Sequence, residues 1–301
     1  MGSLVVLGVF VADTSFRASR MPKMGETIFG DSFALGPGGK GSNQAVAAGK
    51  LGADVSIISC LGDDDFGQMA LQTWQDANVK PVIIQTKNAY TGAAFIFVDA
   101  KSGDNAIIVS PGVAAEITPS IITENHALIA SADVFITQLE QPIDAAYAGL
   151  TLAREHGNIT ILNPAPAAEL PEDIFALCDY LTPNETETEA ITGLPVRTEK
   201  DAEIAAEAMA KKGVKTPIIT MGEQGAYLYG HGMVPAINAG PVVETTGAGD
   251  AFNGALATAL AEGKSPLAAV RFGCATAALS VTRPGTAPAM PSREEVEQLL
   301  G

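Results

Sequence analysis

The sequence predicts an α/β fold of three layers, with helices on both faces of a mostly parallel central sheet. Three observations carry that prediction. Short apolar runs rich in β-branched residues alternate with amphipathic stretches along the chain. The runs are nearly continuously hydrophobic, as strands covered on both faces are. Several amphipathic stretches stop just before a glycine, at Gly52, Gly157, Gly213 and Gly263, where helices commonly close. With 301 residues, no repeat period and no linker-like tract, residues 1–301 read as one domain around a large core.

The elements follow in order. Leu4–Val11 is the first strand: it has no basic flank, Asp13 closes it, and it is too short to span a membrane. No Gly-x-Gly-x-x-Gly follows it, which weakens a dinucleotide-binding reading. Ser42–Lys50, Phe66–Asp76, Pro142–Glu155, Asp201–Lys211, Gly249–Glu262 and Leu267–Ser280 read as helices. Val55–Cys60, Val134–Leu139, Ile159–Asn163, Tyr180–Leu181 and Pro217–Thr220 read as strands between them. Two regions break the alternation. Thr14–Leu35 and Thr91–Ser110 are extended, with Ala93–Val98 and Asn105–Val109 forming a hairpin across Asp99–Asp104. On periodicity alone they form either a small sheet standing off the main one or ordinary edge strands.

Composition removes several function classes. A net charge of −16 offers no footprint for nucleic acid or an anionic membrane. Cys60, Cys178 and Cys274 are odd in number and far apart, which argues against a disulfide framework or a zinc cluster and fits a reducing cytoplasm. The three histidines lack metal-ligand spacing. A polyanion must therefore be held by backbone N–H groups, a few placed cations or a metal.

Three motifs offer such chemistry. In Glu244-Thr245-Thr246-Gly247-Ala248-Gly249-Asp250 the glycines open a helix start where N–H groups and the helix dipole converge on an anion. Asp250 in that first turn is either an ordinary helix-start acid or a base that takes a hydroxyl proton during phosphoryl transfer. Gly36-Pro37-Gly38-Gly39-Lys40-Gly41-Ser42-Asn43-Gln44 is glycine-rich without being a P-loop. It reads as a turn whose helix Ser42 or Asn43 caps, or as a cradle in which Lys40 and Asn43 meet sugar hydroxyls. Thr182-Pro183-Asn184-Glu185-Thr186-Glu187 has a capping-box pattern at Thr182 and Glu185, while Asn184 and Glu187 share a helix face that suits a Mg²⁺-bound water and phosphate. The strand end Thr220-Met221-Gly222-Glu223-Gln224-Gly225 is a common place for a nucleotide, and Glu140 ends another strand.

Together, in order and spacing, these stretches resemble the ribokinase branch of the PfkB sugar kinases along nearly the whole chain. Gly38 to Ala48, Gln138-Leu139-Glu140, Asn163-Pro164-Ala165-Pro166, Thr182 to Glu187 and Gly247 to Asp250 carry the resemblance. It implies a Rossmann-like α/β/α sandwich plus a small β-sheet lid, formed by residues of roughly 14–35 and 91–110, that covers the sugar and pairs with a second subunit. It implies Asp250 as the base and the N–H groups of Gly247, Ala248 and Gly249 as the hole for the transferred phosphoryl. Asp13, Gly38, Gly39, Lys40, Asn43 and Glu140 would face the sugar. Asn184 and Glu187 would organise phosphate and Mg²⁺, with Thr220, Gly222, Gly225 and Cys274 lining ATP. Glu244, Thr246, Ser280, Arg283 and Gly285 would surround a monovalent cation such as K⁺.

Departures from that pattern matter. Val11 stands where ribokinases carry Asn two residues before the sugar-binding Asp. An unpaired sugar hydroxyl against it costs about 1–3 kcal/mol. Glu244 replaces the usual Asp and Ala289 the usual Ser of the cation loop, and Cys274 replaces a common His. The function expected is an ATP- and Mg²⁺-dependent kinase acting on the primary hydroxyl of a pentose, D-ribose first, in a cytoplasmic homodimer. Its alternatives are the same chemistry on 2-deoxyribose, a ketose or adenosine, or a non-catalytic sugar-binding protein.

Overall fold

The computed structural model describes residues 2–86 and 89–301. The chain opens with β1 (Ser3–Leu7), β2 (Val11–Ala18), β3 (Ser32–Gly38), α1 (Lys40–Lys50), β4 (Asp54–Gly62), α2 (Asp65–Asp76), β5 (Lys80–Thr86), β6 (Thr91–Asp99) and β7 (Asn105–Gly112). There follow α3 (Pro119–Glu124), α4 (His126–Ala130), β8 (Val134–Thr137), α5 (Ile143–Glu155), β9 (Ile159–Leu162), β10 (Tyr180–Leu181), α6 (Glu185–Thr192) and α7 (Glu199–Lys211). The chain closes with β11 (Thr216–Thr220), β12 (Gly225–Leu228), β13 (Gly232–Pro235), α8 (Ala248–Ala261), α9 (Pro266–Ser280) and α10 (Arg293–Leu300).

Nine strands form the central sheet in the order β13-β12-β11-β10-β9-β8-β1-β4-β5. From β11 to β5 all pairs are parallel, and β12 and β13 add an antiparallel edge. The alternation of β1 shows the layers directly. Leu4 and Val6 pack into an apolar cluster with residues of α1, α2, α8 and α9. Val5 and Leu7 point the other way, into a cluster with α3, α5 and α7. Both sheet faces are therefore dry, which is why the strands read as unbroken apolar runs.

A second sheet, in the order β3-β2-β6-β7, settles the two irregular regions as a separate small sheet. β2 pairs antiparallel to β3 and parallel to β6, and the expected hairpin forms as β6 and β7. By alternation, Phe16, Phe33, Leu35, Phe95 and Ile108 share one face of this sheet and Asp13 lies on the other. The phenyl ring of Phe16 stacks on Phe33 and Phe95 at 4.9 and 5.7 Å between centroids.

Three boundaries differ from expectation. The first run is not one strand: β1 ends at Leu7, and Val11 already begins the small sheet, because Gly8 to Phe10 turn the chain from one sheet to the other. The small-sheet strands accordingly start earlier than residue 14. α1 begins at Lys40, with Gly39 rather than Ser42 or Asn43 at its cap. Ser42 is inside the helix and accepts a hydrogen bond from the Trp74 indole at 2.9 Å.

Candidate active site

Two glycine-led helix starts meet here. Gly39 precedes α1 with φ of 88°, and a Cβ there would lie 2.5 Å from the Val9 carbonyl oxygen, so only glycine fits. Gly247 caps α8 in the left-handed conformation, and Asp250 is the third residue of that helix. Further along α8, a Cβ on Gly254 would lie 2.5 Å from the Gln44 carbonyl oxygen and 2.7 Å from Ala47 Cβ. The missing side chain lets α1 and α8 touch backbone to side chain, and this brings the amides of α1 onto the acid of α8.

Asp250 is only 7% exposed. Asn43 Nδ2 donates to its Oδ2 at 3.0 Å, and Gln44 Nε2 donates to its Oδ1 at 3.1 Å. Asn43 Oδ1 is buried without a hydrogen-bond partner. Across the cleft Glu140 Oε2 accepts the Lys40 backbone N–H at 2.7 Å. The Asp13 carboxylate lies over Gly38, where a Cβ would meet Asp13 Oδ2 at 2.2 Å.

The electrostatics follow from crowding. Burial, reinforced by Asp250 and Glu244, pushes Asp13 up to about 6. Burial pushes Glu140 to about 7 against the pull of Lys40. Burial also raises Asp250, opposed by Lys40 and by the Asn43 and Gln44 donors. Lys40 loses stabilisation to burial, yet the surrounding charges of Asp250, Glu140, Glu187 and Asp13 hold its ammonium above its ordinary value. One partly buried cation thus sits in the field of four acids.

At the helix start itself, Ala248 N–H donates to the Thr245 carbonyl at 3.2 Å, so it is turned into the chain. Among the described residues, the N–H groups of Gly247 and Gly249 have no such partner. A Cβ on Gly249 would meet nothing within 4 Å, so the approach to them is open.

The neighbouring α6 start corrects the capping expectation. Its cap is Asn184, not Thr182, with Asn184 Oδ1 accepting from Glu187 N and Glu187 Oε2 accepting from Asn184 N, both at 2.9 Å. Thr182 lies two residues before that cap, and its hydroxyl donates to Asn253 Oδ1 at 2.7 Å. Thr220 N donates to the Pro183 carbonyl at 3.0 Å, which fastens the end of β11 beside this loop. Gly222 and Gly225 turn the chain into β12. Cys274 lies within the apolar cluster on α9, as a small thiol that packs rather than bonds.

The Glu244 loop is brought together only in part. Glu244 Oε2 accepts from Gly285 N at 2.8 Å, and the Val281 carbonyl accepts from Glu244 N at 3.2 Å. The Arg283 side chain pairs with Glu295 and Ser280 Oγ donates to the Ala277 carbonyl at 2.9 Å, so what these two would offer a cation is their backbone carbonyls, as the resemblance implies. Thr246 is exposed. Nearby, Lys50 Nζ donates to the carbonyls of Ala287, Pro288 and Met290 at 3.4, 3.4 and 3.0 Å.

Residues without an assigned role emerge as parts of the site. Gln44 and Gln138 are wholly buried and hydrogen-bonded to each other at 2.6 Å. Thr286 Oγ1 donates to the Pro37 carbonyl of β3 at 2.7 Å, and Thr286 packs where a Gly247 Cβ would sit. A long amide in the apolar helix segment Gln44-Ala45-Val46-Ala47-Ala48 was the signal for Gln44; Thr286 had none.

This geometry has counterparts. The family described as pfkB family carbohydrate kinase matches residues 1–293. The ribokinase of Haemophilus influenzae is 39% identical over 99% of this chain and 98% of its own. The deoxyribokinase of Salmonella typhi is 34% identical over 99% and 98%. Among solved structures, Arabidopsis thaliana ribokinase complexed with ribose and ATP superposes with a TM-score of 0.95 at 32% identity, covering 100% of this chain and 99% of that one.

Proposed function

The chain belongs to the pfkB family of carbohydrate kinases, and from that premise we propose that it transfers the γ-phosphoryl group of ATP to the primary hydroxyl of a pentose, D-ribose first. The observation that carries this reading is Asp250: a buried carboxylate at a glycine-led helix start, held by two amides. Asp250 takes the proton of the sugar hydroxyl while that oxygen attacks the γ-phosphorus, and the bond to the β–γ bridging oxygen of ATP breaks. The N–H groups of Gly247 and Gly249, with the dipole of α8, stabilise the charge on the transferred group. Asp13, Lys40, Asn43 and Glu140 hold the sugar.

Asn184, Glu187, Thr220, Gly222 and Gly225 stand on the nucleotide side. Glu187 is buried with Oε2 on the Asn184 N–H, and among the described residues no group of three or more His, Cys, Asp or Glu is placed to hold a metal. That donor set fits Mg²⁺ held mainly by phosphates and water, with Glu187 beside it. Bound there, Mg²⁺ neutralises charge on the phosphates. For a monovalent cation such as K⁺, Glu244 keeps Oε1 outside its bond to Gly285. The small sheet acts as the lid, its exposed aromatic face meeting a second copy of the chain. Three buried free cysteines, and the lack of any helix long and apolar enough to cross a membrane among the described residues, suit a reducing cytoplasm.

A second reading has its own observation. Val11 is 5% exposed, two residues before Asp13 and inside an apolar cluster with Val9 and Ala94. An apolar wall there favours a sugar lacking one hydroxyl, such as 2-deoxyribose. The test is ADP release with Mg²⁺ across D-ribose, 2-deoxy-D-ribose, pentuloses, fructose and adenosine, with and without K⁺. A kcat/KM highest for D-ribose supports the first reading and one highest for 2-deoxyribose the second. No ADP with any of them, despite sugar binding, overturns both.

A further inference from the structure

We propose that Gln44 is a positioning residue, locked in place by Gln138, which fixes the Asp250 carboxylate in the orientation from which it accepts the sugar proton. The proposal rests on the reading of Asp250 as the base. Gln44 has no exposed surface, so it acts through Asp250 and not on the substrate. Its Nε2 donates to Asp250 Oδ1 at 3.1 Å and to Asn163 Oδ1 at 3.0 Å. A primary amide turned by 180° would instead set its oxygen against those two oxygens. Gln138 favours the observed orientation, because its Nε2 donates to Gln44 Oε1 at 2.6 Å, while its own Oε1 is buried without a partner.

The lock has its own supports. Asn163 is oriented by its Nδ2, which donates to the Thr182 carbonyl at 3.1 Å. Gln138 follows β8 directly and fits only because Gly8 and Gly41 lack side chains. A Cβ on either would come 2.7 Å from Gln138 Oε1. A row of oriented amides therefore runs from the end of β8 through α1 to the first turn of α8. With Gln44 on Oδ1 and Asn43 on Oδ2, each carboxylate oxygen accepts one amide and has further acceptor capacity.

The charged groups around Asp250 make that grip consequential. Lys40 attracts it, while Asp13 on β2, Glu140 after β8 and Glu187 on α6 share the same neighbourhood. A donor on the carboxylate favours its ionised form among those acids. Loss of the Gln44 donor frees the carboxylate to rotate and makes ionisation harder.

The experiment is steady-state kinetics on the full chain with its best sugar, for Gln44→Met, Gln138→Met, the double variant and Asp250→Asn. Gln44→Met is expected to lower kcat about 10–100-fold, a part of what a general base supplies, with sugar KM nearly unchanged. The acid limb of its kcat/KM profile moves to higher pH. Gln138→Met lowers kcat less, with a limb moved the same way. Because Gln138 works only through Gln44, the double variant is no slower than Gln44→Met, whereas two independent packing defects would multiply. Wild-type kcat and limb in Gln44→Met, or multiplying losses, overturns the proposal. If Gln44→Met gives no cooperative melt, Gln138→Met decides alone: a raised limb supports the proposal, an unmoved one overturns it. Wild-type turnover in Asp250→Asn instead removes the base reading itself. An inactive Asp250→Asn beside wild-type glutamine variants removes only this proposal.

Discussion

The two sheets of this molecule are finished to different degrees. In the central sheet the residues of β1 and β8 have both faces covered and almost no exposure. In the small sheet β3 and β7 are exposed along most of their length, and Phe33 and Ile108 remain 57% and 66% exposed. Asp13 contributes to the site from the unfinished sheet, Asp250 from a helix packed on the finished one. On the proposed reading, chemistry that needs fixed orientation stands on the dry scaffold, and a contact that must admit and release substrate stands on the sheet that lacks a cover.

Removing the group on the rigid side breaks the comparison most severely. Asp250→Asn is expected to lower kcat about 10²–10⁴-fold while ATP binding and the melting temperature stay near wild type. A loss confined to KM would place Asp250 among the binding groups instead. Next comes the contact that carries this rigidity. Gly254→Ala must part α1 from α8, costing about 1–3 kcal/mol in a denaturant titration and withdrawing Asn43 and Gln44 from Asp250. Unchanged stability and turnover would mean the close approach is not what orders the site.

On the unfinished side the effects are smaller and of another kind. Phe33→Asp on the exposed aromatic face is expected to shift the solution mass to a monomer and to raise sugar KM several-fold, with kcat less affected. A monomeric wild type would remove that face as an interface. The smallest effect concerns the acids. Asp13 and Glu140 have folded values near 6 and 7, above those of the unfolded chain. The folded state therefore binds more protons between about pH 4 and 7, and that contribution is lost as pH rises through the folded values. Glu140→Gln should thus raise the melting temperature of the ligand-free protein at pH 8 by about 2 °C, and not at pH 4. An equal shift at both values would mean that packing, not ionisation, is the cause.

The fold was legible where one physical rule acted alone. The apolar strands between β1 and β11 and the six long helices announce themselves, and Gly52, Gly157, Gly213 and Gly263 all end helices with positive φ. β5 and β13 were missed because edge strands carry mixed exposure and lose the continuous pattern, and β12, although fully buried, because a run of four residues is too short to stand out. α10 was overlooked although its capping box, Ser292 with Glu295, is visible in the sequence. At the site, the glycine motifs located the helix starts, but Thr182 and Glu185 offered a capping pattern two residues ahead of the one that forms, Asn184 with Glu187. The Gln138–Gln44–Asp250 row joins residues 94 and 206 positions apart, and no local pattern encodes such a meeting.

The ammonium of Lys50, seated on the carbonyls of Ala287, Pro288 and Met290, makes that stretch of the loop indifferent to the ions outside. A tethered charge has no dissociation constant and cannot be dialysed away or exchanged for sodium. On the proposed reading, any response to a monovalent cation enters through the Glu244 half of the loop. The other half carries its cation on the chain itself, as Lys50.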